Sequence, residues 1–231
     1  MIILAIETSS ERGSMALSRD GNIVATQLDA GPKQSETALT KLRDLLQGCG
    51  LRIEDIDAVA FGSGPGMFTG LRLGCGLAQG LAIGLSKPIV AVSSLHALAA
   101  RSAGSRIVAA TDARMGEIYI QRFLRGDAGL AAGGEPECLP PEQVPALSPE
   151  SGWHGIGNAF AVHVGRLPDL FMRSIEVVDA DARPRAEEVA VIAAERVAEG
   201  RTTPLDEATP QYVRNKVALT TRERLARGGR S

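Results

Sequence analysis

The chain has 231 residues, 44% hydrophobic and 23% charged, with a mean hydropathy of +0.02, an average globular composition that excludes a wholly disordered or fibrous protein. Lys and Arg number 25 against 27 Asp and Glu, a formal charge of −2, so no global positive field exists to hold nucleic acid by counterion release alone. Cys49, Cys75 and Cys138 are widely spaced and odd in number, which argues against a disulfide framework or a zinc knuckle and for a reducing compartment.

Met1 to Ile6 is apolar but meets Glu7 with no basic leader, so it reads as a buried strand rather than a secretory signal. Leu71 to Leu85 is short for a bilayer span and interrupted by glycines, so no membrane segment is expected and the expected location is cytoplasmic. Ile2–Ile6, Ser14–Ser18 and Asn22–Leu28 form three opening strands, the last two joined at Asp20-Gly21, a hairpin-turn signal. Ala38, Leu39, Leu42, Leu45, Leu46 and Cys49 then recur at helical steps, giving a helix over about 35–49 with Ser35 as its N-cap. A strand (Ile56–Gly62), a glycine-rich turn, a helix over about 69–85 and a strand (Ile89–Val92) follow, an alternation that builds parallel βαβ units. Ser94–Ala100 reads as a short helix.

At Arg106 the pattern restarts. Ile107 to Asp112 echoes Ile2 to Glu7, and in each half a polar turn and a glycine (Gly13, Gly116) lead into an alternating strand. The expected fold is therefore α/β with two similar lobes, residues 1–103 and 104–215, each opening with a three-stranded hairpin sheet flanked by helices, before a basic tail at 216–231 carrying Arg222, Arg224, Arg227 and Arg230. Residues of about 126–150 read as an irregular, weakly ordered connection. Trp153–Ile156 reads as a strand, and Pro184–Glu199 as a helix with Pro at its first position.

The run Phe61 to Gly70 lies where strand-to-helix turns hold phosphate, but it lacks Gly-Lys-Ser/Thr, and Met67 stands where the dinucleotide fingerprint needs glycine. Close backbone approach is the stronger reading of its glycines. In the following helix Gly70 and Gly74, and separately Gly76, Gly80 and Gly84, recur every four residues, a costly choice that implies tight packing inside the lobe, against another subunit, or both. Glu7 and Asp112 end equivalent strands and offer hard-cation ligands, with Thr8, Ser9 and Ser10 as phosphate contacts; a solvated or capping acid is the plainer reading. His96, His154 and His163 have no metal-ligand spacing, and no serine sits in a nucleophile elbow. Arg72 and Arg114 are candidate anion contacts, and Tyr212 is expected to anchor the tail.

Ile3-Leu4-Ala5-Ile6-Glu7-Thr8-Ser9, the run from Ala60 to Arg72, Asp112 to Tyr119 and Pro210-Gln211-Tyr212-Val213-Arg214 together resemble the bacterial TsaB (YeaZ) family. The resemblance spans residues 1 to about 215 and implies two duplicated ribonuclease H-like lobes, in the superfamily of acetate and sugar kinases, heat-shock ATPases and actin. It implies a non-catalytic subunit in making tRNA threonylcarbamoyladenosine (t6A), paired with a TsaD-like catalytic paralogue and a TsaE-like ATPase, or with itself when the partner is absent. ATP and Mg²⁺ are then expected on the partners, tRNA is met through the complex, and neither metal nor membrane is expected for this chain. The His-x-x-x-His pair of TsaD-like members is absent, and Glu7, Thr8, Ser9 and Asp112 stand as a vestigial nucleotide site. The resemblance places the partner contact on the first two long helices, with Leu39, Leu42, Gly70, Leu71, Gly74 and Leu77 as contact residues and Gly74→Glu expected to break binding without unfolding the chain. A small-molecule kinase or ATPase of the same superfamily is the alternative.

Overall fold

The computed structural model describes residues 1–30, 33–147 and 152–214. Its first sheet comprises β1 (Ile2–Glu7), β2 (Ser14–Arg19), β3 (Asn22–Gln27), β4 (Ala58–Gly64) and β5 (Ile89–Ser93), ordered β3-β2-β1-β4-β5. β1 to β3 pair antiparallel, and β4 and β5 continue parallel to β1. Asp20 and Gly21 both take positive φ, 51° and 85°, the two-residue turn whose twist matches the flanking strands. The second sheet is built from β6 (Arg106–Arg114), β7 (Glu117–Gly126), β8 (Gly129–Ala132), β9 (Glu137–Leu139), β10 (Trp153–Ile156) and β11 (Ile175–Asp179). Its order is β11-β10-β6-β7-β8, with β9 also on β7. Read from the other end this repeats the first sheet, so the echo in the sequence is a duplication of topology.

The helices are α1 (Lys33–Gly48), α2 (Phe68–Leu85), α3 (Ser94–Ala100), the single turns α4 (Ala159–Val162) and α5 (Asp169–Met172), and α6 (Ala186–Ala198). Leu4 and Ile6 of β1, with Val59 and Phe61 of β4, pack against Leu42 and Leu45 of α1 and Cys75 and Ala78 of α2. Ile3, Ala5, Ala58 and Ala60 face the other way, onto Ala186, Val189, Ala190 and Ala193 of α6. A sheet covered on both faces needs continuously apolar strands, which is why β1 reads without alternation. α3 in turn lays Leu95, Leu98 and Ala99 on Ile107, Ala109 and Phe123 of the second sheet.

This crossing corrects the expected partition into lobes 1–103 and 104–215. The helix expected to belong to the second lobe closes the first lobe's sheet, and the helix after β5 belongs largely to the second. Local boundaries also shift. α1 begins at Lys33, so Ser35 sits in its first turn rather than at the cap; α6 is preceded by Arg185, with Pro184 outside it. The stretch expected to be irregular pairs instead onto β7 through β8 and β9, followed by a short 3₁₀ turn at Pro141–Gln143. Positions 148–151 of that stretch and the tail at 216–231 lie outside the described residues. α2, at 18 residues and a window hydropathy of 1.2, reaches the length and polarity of a candidate span, contrary to the expectation that no such segment exists; in the fold its Cys75, Ala78 and Ala82 are buried against the first sheet.

Candidate functional site

The loop after β1 lies beneath the start of α2, and the glycine run explains how. Glycines recur every fourth position from Gly62 to Gly74, and all four appose residues 7–9. A Cβ on Gly62 would overlap the Glu7 carboxylate, on Gly66 the Ser9 carbonyl, on Gly70 the Thr8 carbonyl, and on Gly74 the Thr8 hydroxyl. Ser9 O accepts the Met67 N–H at 2.8 Å, and Thr8 Oγ1 donates to Gly70 O at 2.7 Å. The run is therefore spent on close approach between two backbone segments, and the place a phosphate would take at the helix start is held by the chain's own carbonyl.

Glu7, Thr8 and Ser9 are buried, Glu7 completely. The Glu7 carboxylate accepts from Ser9 N–H at 2.6 Å and from Ser94 Oγ at 2.8 Å, and Ser94 Oγ in turn accepts from Gly64 N–H at 3.2 Å. Burial pushes the Glu7 carboxyl above the ordinary glutamate range, with the Ser9 and Ser94 hydrogen bonds opposing it. This acid ties the end of β1 to the end of β4 and the start of α3. The vestigial-site expectation is corrected accordingly: Glu7, Thr8 and Ser9 are structural groups, and neither a solvated nor a cation-facing role fits Glu7.

Asp112 lies across a cleft of about 200 Å³ that Ser9, Ser10, Pro65, Asp112, Arg114 and Asn158 help to line. Its carboxylate takes His163 Nε2 at 3.1 Å, the Arg114 N–H at 3.1 Å and the Arg114 guanidinium at 3.5 Å. Its own N–H donates to Asn158 Oδ1 at 3.0 Å. Arg166 reaches His163 Nδ1 at 3.1 Å, and Arg114 also pairs with Glu11. Among the described residues no group of three or more His, Cys, Asp or Glu is placed to hold a metal ion. Asp112 orients a histidine and an arginine within the second lobe.

α1 and α2 form the other distinctive surface. Gly70, Leu71 and Gly74 are buried against β1 and its loop, so three of the expected contact residues are internal, and Gly74→Glu would disrupt the fold rather than spare it. Leu42 is also buried in the core, whereas Leu77 is partly buried and Leu39 is 61% exposed. The open side of α2 carries the second glycine row: Gly76, Gly80 and Gly84 have no atom within 4 Å of an added Cβ. Ile83, 61% exposed, stands beside that row. A groove of about 590 Å³ runs between the helices, lined by Leu39, Leu42, Leu46, Leu51, Ile53 and Leu81 among others. Sequence reading noticed both glycine rows but put the wrong one on the surface; it also missed Ile83, for which exposure is the only signal.

Tyr212 does anchor the segment that follows α6, by ring contact with Phe68 at 5.5 Å and a hydrogen bond from Arg72 at 3.2 Å. Arg72 lies on the Phe68 ring, 3.7 Å from its centroid, so it is neither an isolated solvated arginine nor held on an anion.

Fold and site together define a class: a two-lobed ribonuclease H-like α/β protein whose first-lobe loop is sealed by its own helix and whose α1–α2 surface stays apolar and open. The family model of TsaD, tRNA N6-adenosine threonylcarbamoyltransferase, matches residues 28–220. The tRNA threonylcarbamoyladenosine biosynthesis protein TsaB of Escherichia coli is 38% identical over 94% of this chain and 96% of its own, and that of Haemophilus influenzae is 31% identical over 94% and 95%. YeaZ from Pseudomonas aeruginosa superposes with a TM-score of 0.84 at 34% identity, covering 91% of this chain and 99% of that one. The chain belongs to the TsaB family.

Proposed function

We propose that this chain is a non-catalytic scaffold and activating subunit of the assembly that transfers threonylcarbamoyl to N6 of the adenosine 3′ of the anticodon in tRNAs reading codons that begin with A, and that it acts by docking a TsaD-like catalytic paralogue on its α1–α2 face. The names of the TsaB relatives support the pathway. A tRNA N6-adenosine threonylcarbamoyltransferase of Kosmotoga olearia, 35% identical over 41% of this chain and 34% of its own, supports common descent with the catalytic subunit.

The observation that carries the reading is the open glycine row of Gly76, Gly80 and Gly84 on α2, with Ile83 exposed on the same helix and Leu39 exposed on α1. Bare backbone lets a second helix approach to the short end of the usual 8–10 Å range, and full burial of each large aliphatic side chain contributes about 1.5–3 kcal/mol. The same face, apposed to itself about a two-fold axis, makes a homodimer when the paralogue is absent. A TsaE-like ATPase completes the assembly, ATP and Mg²⁺ act on the partner subunits, tRNA is met through the complex, and the setting is cytoplasmic. The kinase or ATPase alternative is disfavoured because Glu7, Thr8 and Ser9 are closed beneath α2.

The test is Leu39→Glu and Ile83→Glu, each co-expressed with the TsaD-like paralogue and sized by light scattering. Both side chains are exposed, so the variants should melt within about 0.5 kcal/mol of the parent while the complex weakens at least 100-fold. Complexes of normal size and strength would refute the docking face.

A further inference from the structure

The segment that follows α6 runs back along α2. Ala208 O accepts from Cys75 Sγ at 3.2 Å and from Gln79 Nε2 at 2.9 Å, Gln211 N–H donates to Ser63 O at 2.7 Å, and Tyr212 meets Phe68 and Arg72. Phe68, Arg72, Cys75 and Gln79 recur at helical spacing, so they share one stripe of α2. The segment then crosses to the second lobe. The Arg214 guanidinium, 15% exposed, donates to Ala113 O at 3.0 Å and Arg114 O at 3.1 Å, pairs with Glu117 at 2.6 Å and touches Met115 Sδ at 3.5 Å. All four of these residues lie at the hairpin that joins β6 to β7. That hairpin is strained: Arg114 and Met115 take φ of +62° and +55°, next to Gly116 at +79°. Left-handed backbone costs a long L side chain energy and persists where surrounding contacts over-determine it. From outside the hairpin, Arg214 holds both residues, and Glu11 of the first-lobe loop pairs with the Arg114 side chain across the cleft.

We propose that residues 208–214 are a strap with two states that sets the opening between the lobes. Engaged, it spans from α2 to the hairpin, keeps Arg114 and Met115 left-handed and holds Arg114 on Glu11 across the cleft of about 200 Å³ that Ser9, Asp112 and Asn158 also line. Released, the hairpin relaxes, the Arg114 pair with Glu11 is lost and the cleft opens. Pro210 stiffens the strap, so a shift at its α2 end is carried to Arg214 rather than absorbed on the way. The device stands on contacts within this chain and goes beyond the docking reading, which uses the other stripe of α2; either can fail without the other.

The experiment is hydrogen–deuterium exchange of the full chain, read by mass spectrometry over residues 113–117, the loop at 8–13 and the strands β1 and β6. Arg214→Ala should speed exchange at 113–117 about tenfold or more, speed it in the loop as well, and leave β1 and the middle of β6 unchanged. Gln79→Ala and Tyr212→Ala cut the strap at its α2 end and should speed exchange at 113–117 about threefold or more. Gln79→Ala removes a single partly buried hydrogen bond, so it carries the test even where Arg214→Ala fails to fold. Adding Met115→Gly to Arg214→Ala should restore much of the protection, because glycine keeps a left-handed turn without a clamp. An unchanged hairpin in Arg214→Ala would overturn the proposal. So would a hairpin freed by Arg214→Ala but untouched by Gln79→Ala and Tyr212→Ala, which would make Arg214 a local cap and not the end of a strap. Exchange that rises equally in β1 and β6 would assign Arg214 to the stability of the whole fold, and a hairpin left unprotected after Met115→Gly would show that strain is not what the segment holds; each result overturns the device.

Discussion

The two glycine rows of α2 make opposite predictions for one substitution, Gly→Ala. At Gly76 and Gly80 an added methyl meets nothing within 4 Å, so alanine should gain about 0.5–1 kcal/mol at each position from helix propensity and a less flexible unfolded chain. Gly84 is next to the helix end and should gain less. The triple variant should therefore be more stable by about 1–2.5 kcal/mol, which for a chain of this size raises Tm by about 2–10 °C. At Gly74 the methyl would overlap the hydroxyl of Thr8, a residue that is 1% exposed and already bonded to Gly70 O. Overpacking of this kind costs about 1–3 kcal/mol, so Gly74→Ala should melt several degrees below the parent despite its better propensity. Differential scanning calorimetry reads both signs. The same triple variant should bind the TsaD-like paralogue more weakly, because its methyls fill the surface against which a partner helix would seat. Gly74→Ala as stable as the parent would refute the close approach to Thr8; a triple variant that docks normally would refute the role given to the open row.

Two further predictions concern pH. Glu7 has its folded-state pKa raised by burial, so above about pH 4.5 the folded chain holds the proton more strongly than the unfolded chain, and its contribution to stability is lost as pH rises through the raised value. Glu7→Gln should flatten that part of the profile in urea melts between about pH 4.5 and 8, and profiles that stay parallel would contradict this account. For His96, packed 5.4 Å from the Phe123 ring, burial and then the charges of Arg196 and Arg125 lower the pKa to about 4. The fold favours its neutral form, so stability present above about pH 6.5 is lost as pH falls towards 4; an NMR titration of its imidazole with a midpoint near 6.5 would disprove the assignment.

Much of this molecule is legible in its residues because the signals are local. The Asp20-Gly21 turn, the apolar run of β1, the helical spacing in α1 and the restart at Arg106 each depend on neighbours a few positions away, and together they dictate a duplicated α/β fold. Pairing of β8 and β9 onto β7 was not legible, because Gly- and Pro-rich sequence looks the same whether or not a neighbouring strand takes up its backbone hydrogen bonds.

What the sequence could not determine was which partner each pattern meets. Gly74 and Gly76 are the same residue in one helix, yet one rests against Thr8 and the other faces solvent. Glu7 and Asp112 end equivalent strands, yet one is sealed beneath α2 and the other holds His163 and Arg114. The exchange of α3 and α6 between lobes, and the meeting of Phe68 with Tyr212, join positions far apart in the chain. The sequence by itself determined the elements of the first lobe, the restart at Arg106 and the family, since those rest on periodicity and on motifs contiguous in the chain. Only the tertiary structure decided burial and facing, because a side chain's solvation is a property of everything folded around it.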